Sequence, residues 1–128
     1  MSYYFSKTIK DTIEGAKEKV VQSLKEEGFG VLTEIDISAT LKMKLDVDFR
    51  PYLILGACNP QFAHQALQAE KNIGTMLPCN VILQENQQGL IEVSAVDPVA
   101  SMQAVDNNSL AHIAAEVRSK LQRVIENL

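Results

Sequence analysis

The sequence predicts an α+β domain of two layers, with a sheet of about five strands and helices packed mainly on one face. Three observations carry this expectation. Strand-like and helix-like runs follow the order strand, helix, strand, small helix, strand, helix, hairpin, helix. Two runs, Cys79 to Glu85 and Leu90 to Val96, flank the turn-forming residues Asn86 to Gly89 and read as an antiparallel pair. The last stretch carries Leu110, Ile113, Val117, Leu121, Val124 and Leu128 in steps of three and four, the stripe of a helix laid on a sheet.

Each element has a local reason. Tyr3 and Phe5 open a first strand that runs to about Thr8, since aromatic side chains favour pleated backbone. Asp11 and Glu14 stand in capping-box spacing ahead of a helix whose stripe is Ile13, Ala16, Val20 and Leu24, and Gly28 and Gly30 end it. Val31, Thr33, Ile35 and Ile37 alternate with Leu32, Glu34 and Asp36, a second strand with one face expected to be buried. Ser38 to Leu45 is helix-competent over barely two turns. Tyr52 to Ala57 is apolar without alternation, as in a central strand covered on both faces, and Gly56 within it permits close approach of another backbone.

At Asn59-Pro60 a helix begins, with Asn59 as its N-cap and Pro60 at the first helical position, where a missing N–H costs nothing. The predicted helix reaches about Asn72, presents Phe62, Ala63, Ala66, Leu67, Glu70 and Ile73 on one side, and stops at Gly74. Thr75 to Pro78 then forms an extended connection, because Pro78 keeps Leu77 out of helical geometry. Past the hairpin, Asp97-Pro98 breaks the strand, Val99 to Val105 can form a turn or two of helix, and Asp106 to Ser109 supply cap chemistry for the last helix.

At 128 residues the chain suits one domain, residues 1–128. Its 46% hydrophobic and 22% charged content is that of a globular protein, and a formal net charge of −4 argues against nucleic acid or an anionic membrane as partner. No apolar run is long enough to span a membrane and no leader pattern is evident, so a cytoplasmic location is expected, with Cys58 and Cys79 as free thiols. Phosphate loops, HExxH, GxSxG and nucleotide fingerprints are missing from the sequence, so no cofactor is expected and enzymatic activity is left undecided.

Chemistry can be placed at one location. Cys58 lies at a strand-to-helix turn, where the amides and dipole of a helix N-terminus stabilise a thiolate or a bound anion; packing as a small apolar residue is its alternative. Cys79 follows Pro78 at a strand start, and its interest depends on Cys58. Parallel strands would set the two thiols at opposite ends of the sheet, and antiparallel strands would let them meet. His64 is on the flank of its helix, expected in solvent unless it serves Cys58 as base or ligand, and His112 suits packing or a dimer contact. Asn80 reads as a strand residue near a turn.

Leu-Gly-Ala-Cys-Asn-Pro at Leu55 to Pro60, Ala63-His64 and Ala66-Leu67, Leu-Pro-Cys-Asn-Val at Leu77 to Val81, and Asp97-Pro98 together resemble the signature of the DUF302 family, also called TT1751-like. The resemblance runs nearly end to end. It implies a small α+β domain, a homodimer, and a family of uncharacterised function. Two functional readings follow. The preferred one is a non-catalytic dimeric module binding a small molecule near the Cys58-Asn59-Pro60 turn, with Cys58, Asn59, Pro60, His64 and Cys79 as candidate contacts and no metal expected. The alternative is a thiol-dependent redox, sulfur-carrier or metal-handling protein using Cys58 and Cys79, with His64 as a further ligand.

Overall fold

The computed structural model describes residues 2–128. Five strands form one fully antiparallel sheet: β1 (Tyr4–Ile9), β2 (Gly30–Asp36), β3 (Tyr52–Cys58), β4 (Cys79–Glu85) and β5 (Ile91–Val96), in the spatial order β1-β5-β4-β3-β2. The helices are α1 (Ile13–Glu26), α2 (Ile37–Leu45), α3 (Pro60–Ala69), α4 (Pro98–Ser101) and α5 (Ser109–Glu126), with a 3-10 turn at Ile73–Met76. The two-layer α+β expectation holds.

Alternation along the strands builds the core. Leu53, Leu55 and Ala57 on β3, Val81 and Leu83 on β4, and Ile91, Val93 and Ala95 on β5 point to one face, where they meet Ala16, Val20 and Leu24 of α1 and Val117, Leu121 and Val124 of α5. Both helices therefore bury the stripes that their spacing defines. Ser23 Oγ, buried between them, donates to the Val124 carbonyl at 2.9 Å, so the polar atom enclosed there is satisfied.

The opposite face carries Ile35, Ile54 and Ile82 in register across β2, β3 and β4, continuing to Ser94 and Ser6. Among the described residues no helix buries the three isoleucines to the depth of the core: Ile54 and Ile82 are half-buried and Ile35 is 46% exposed, while Ser94 further along is buried. This corrects two expectations. The central strand β3 is fully covered on one face only, and β2, an edge strand with an irregularity between Val31 and Thr33, buries neither face. Period-two patterning identifies two faces but says nothing about what lies over them.

Local boundaries differ for similarly physical reasons. Thr12, not Asp11, caps α1, its Oγ1 accepting from Gly15 N at 3.0 Å, while Asp11 accepts from Thr12 N and pairs with Lys19 at 2.7 Å. Gly28, with φ 86°, takes the left-handed turn after α1 that a side chain would disfavour. Ile37 belongs to α2 rather than β2, because Asp36 Oδ1 accepts from Ala39 N at 2.9 Å and starts the helix. α3 ends at Ala69, where Glu70 turns extended, so Gly74 lies inside the 3-10 turn and does not stop the helix. Of the expected extended connection Thr75 to Pro78, Thr75 and Met76 fall in the 3-10 turn and Leu77 is extended. At Gly56 the close approach comes from side chains instead of backbone: a Cβ there would collide with Thr33 Oγ1 and lie 2.6 Å from Pro78 Cγ.

Candidate functional site

The site lies at the end of the sheet where β3 finishes and β4 begins. These strands are antiparallel neighbours with Ala57 opposite Cys79, and Cys58 is one residue further along, paired on its other side with Gly30. The question of strand direction is thereby answered: the two cysteine motifs converge on one end of the sheet. Both cysteines are free, Cys79 buried and Cys58 partly exposed.

Around them is a cavity of about 330 Å³, open on one side. Its walls come from distant parts of the chain. Phe62, Ala63, Ala66 and Leu67 line it from α3, Leu77 and Pro78 from the connection to β4, Pro98 and Met102 from the region of α4, and Ile113, Ala114 and Val117 from α5. Phe29 and Leu32 close it from the α1–β2 side, and Ala57, Cys58, Asn59 and Cys79 line it at the strand ends. Space exists because Ala63 and Ala66 of α3 and Ala114 of α5, all on its lining, carry a single methyl each. A larger side chain at any of the three would fill it.

Asn59 occupies the position before α3, yet its side chain forms no cap. Its Nδ2 donates instead to the Glu27 carbonyl at 3.3 Å, tying the β3–α3 turn to the end of α1. Glu27 in turn pairs with Arg123 of α5 at 2.9 Å. The expected N-cap role of Asn59 is thus replaced by a tertiary tether. Pro60 opens α3 as expected at its first position, but it is exposed and outside the cavity lining. His64 is likewise exposed and outside that lining, and His112 is exposed on α5. Glu70 is half-buried and accepts from Asn107 Nδ2 at 3.2 Å, which also donates to the Ala69 carbonyl at 2.8 Å, so this carboxylate helps close the end of α3 over the chain leading into α5.

Of the five candidate residues, the cavity takes in Cys58, Asn59 and Cys79. Among the described residues no group of three His, Cys, Asp or Glu side chains is placed to hold a metal ion, and His64 is not brought to the thiols. The residues that sequence reasoning missed are Phe29, Leu32, Met102, Ile113 and Ala114. One signal pointed toward the cavity: the α3 stripe Phe62, Ala63, Ala66, Leu67 mixes large and methyl side chains on a face that must pack.

Burial, and secondarily the neighbouring Cys58, pushes the Cys79 thiol up to about 11 from an ordinary value of 9.0. Below pH 9 both folded and unfolded chains keep this proton, and the stabilisation is fully present. Between 9.0 and about 11 the unfolded chain releases it while the folded chain does not, so stability falls as pH rises across that window. The full loss is about 2 to 3 kcal/mol. Denaturant melts of the parent and Cys79→Ala should therefore diverge in pH dependence from pH 9 to 11. Identical slopes would show that Cys79 is solvated.

An α+β chain with an apolar cavity at the convergence of two cysteine-bearing strand ends is the class that fold and site define. The DUF302 family model, a domain of unknown function, matches residues 5–128, and the chain belongs to that family. It is similar in structure to an uncharacterized conserved DUF302 protein from Bacillus stearothermophilus, whose crystal structure superposes with a TM-score of 0.91 at 27% sequence identity, covering 98% of each chain. No curated protein matches it.

Proposed function

We propose that this protein is a non-catalytic binding module, a single DUF302 domain that acts as a homodimer and holds a small ligand beside the Cys58-Asn59-Pro60 turn. The observation that carries the reading is the cavity: about 330 Å³ lies within the range of about 300 to 1,000 Å³ usual for small-molecule sites, and the two family-like cysteine motifs meet on its wall. Two-dimensional NMR of the labelled protein against a compound library tests it. Ligands should move the amide signals of Phe29, Cys58 to Leu67, Leu77 to Cys79 and Ile113 to Val117 together. A library whose hits perturb only other regions would remove the reading.

Dimerisation is supported by the incompletely covered face of the sheet, where Tyr4 and Ile35 are 41% and 46% exposed and Ile54 and Ile82 half-buried. Five strands of about six residues present a face of roughly 24 by 20 Å to a second copy. Light scattering at tens of micromolar should give twice the chain mass, and Ile35→Glu should give the chain mass with an unchanged circular dichroism spectrum. A parent protein that scatters as a single chain contradicts the dimer. Among the described residues no helix is long and apolar enough to cross a membrane. Two free thiols agree with a reducing compartment such as the cytoplasm.

The thiol-dependent alternative is favoured by one observation, that Cys58 and Cys79 border the same cavity. With Cys79 held protonated at neutral pH, that reading depends on Cys58. Under the binding reading Cys58→Ser keeps its ligand; loss of all function in Cys58→Ser would favour the thiol reading.

A further inference from the structure

The cavity wall also limits the class of ligand. None of its lining side chains carries a charge, and its bulk is Phe29, Phe62, Leu67, Met102, Ile113 and Val117. Its side-chain polarity is confined to two thiols and the Asn59 amide. The orientation of that amide follows from its partner, because only the Nδ2 side can donate to the Glu27 carbonyl. Asn59 Oδ1 and the second Nδ2–H are what the side chain has left to offer, one acceptor and one donor for a single polar group. Lys120 has its Nζ over the Phe62 ring at 5.9 Å from the centroid and does not line the cavity.

A charged group entering such a wall would shed water without meeting a counter-charge on the lining. An apolar molecule loses nothing of the kind and gains by leaving water, in proportion to the apolar surface it buries. The notion of a bound anion at the α3 N-terminus finds no support from the side chains around it. We infer that the cavity takes an uncharged, largely apolar molecule from the lower end of the small-molecule size range, carrying at most one hydrogen-bonding group toward Asn59. The inference rests on the binding reading above and narrows it.

Two fluorescent probes with the same ring system separate the possibilities. N-phenyl-1-naphthylamine is neutral with one N–H, and 8-anilinonaphthalene-1-sulfonate adds a sulfonate to the same framework. The neutral probe should bind saturably, at least about tenfold more tightly than the sulfonate. Ala63→Phe, which places a ring into the cavity from a half-buried position, should weaken it by at least about tenfold with circular dichroism unchanged. Leu67→Trp provides a second readout that does not depend on filling the cavity. The chain has no tryptophan of its own, and Leu67 is 45% exposed on the cavity lining, so bound neutral probe should quench the introduced indole. Equal or tighter binding of the sulfonate, with both the Ala63→Phe loss and the quenching present, would overturn neutrality and leave the cavity as the site. No binding of either probe, or binding that neither quenches the indole nor responds to Ala63→Phe, would overturn the inference and the binding reading together.

Discussion

Leu121→Asp is expected to leave the protein unfolded at room temperature. Leu121 is fully buried where α5 crosses the sheet, packed with Val117, Val124 and the strand residues of the core. Removing its side chain alone costs about 2 to 5 kcal/mol, and a carboxylate in its place must either stay ionised without a partner or be buried protonated, which adds several more. Against a total stability of about 5 to 15 kcal/mol the sum is decisive. Ser119→Asp, two residues away on the exposed side of the same helix, should melt within a few degrees of the parent. If Leu121→Asp melts like Ser119→Asp, the α5 stripe does not face the sheet.

Asp97→Ala should produce the next largest loss, about 2 to 3 kcal/mol, or roughly 10 °C in melting temperature for a chain of this size. Asp97 is only 4% exposed and serves two elements at once. Its Oδ1 accepts from Val99 N at 3.0 Å and Ala100 N at 3.4 Å to start α4, and its Oδ2 accepts from Arg118 Nε of α5 at 3.0 Å. The Arg118 guanidinium also lies over the Phe5 ring, 5.1 Å from its centroid. Because Arg118 is 42% exposed, the ion pair itself is worth less than a fully buried one, and the cap supplies much of the effect. Arg118→Met, which keeps the stacking volume and the cap, should cost only about 1 kcal/mol. Equal losses in the two variants would assign the whole effect to the ion pair. Since Pro98 and Met102 line the cavity, Asp97→Ala should also loosen one of its walls.

What the sequence could and could not reveal follows from the range of each interaction. The α5 stripe was readable because a helix repeats its contact every three or four residues, and the buried set Leu110, Val117, Leu121 and Val124 follows that rhythm. Ala114 and Ile125 joined it where the expected pattern named Ile113 and Leu128, since the buried arc is wider than a single stripe. The start of β4 at Cys79 was readable from Pro78, whose ring restricts Leu77. Thr12 lost its capping role to Asp11 in the sequence reading because both side chains can accept, and the choice is made by Lys19 holding Asp11 aside.

The site was half-readable for a related reason. Cys58 and Cys79 are 21 residues apart in the chain, and no local pattern reports whether their strands run parallel or antiparallel. Beyond the α3 stripe the cavity wall was out of reach, since Phe29, Met102 and Ala114 meet only when α3 and α5 lie side by side over the sheet end. Asn59 illustrates the limit at one residue. Its position before Pro60 satisfies every local criterion for a cap, yet the Glu27 carbonyl, 32 residues earlier, takes its amide.

A crystal structure of the protein grown with N-phenyl-1-naphthylamine tests the central claim most directly. The account predicts electron density for the rings between α3 and α5, in contact with Phe62, Ala66 and Cys58, with the probe's N–H directed at Asn59 Oδ1. Density found only on the outer face of the sheet or against α2, with the space between Ala63, Ala66 and Ala114 closed by their neighbours, would contradict it.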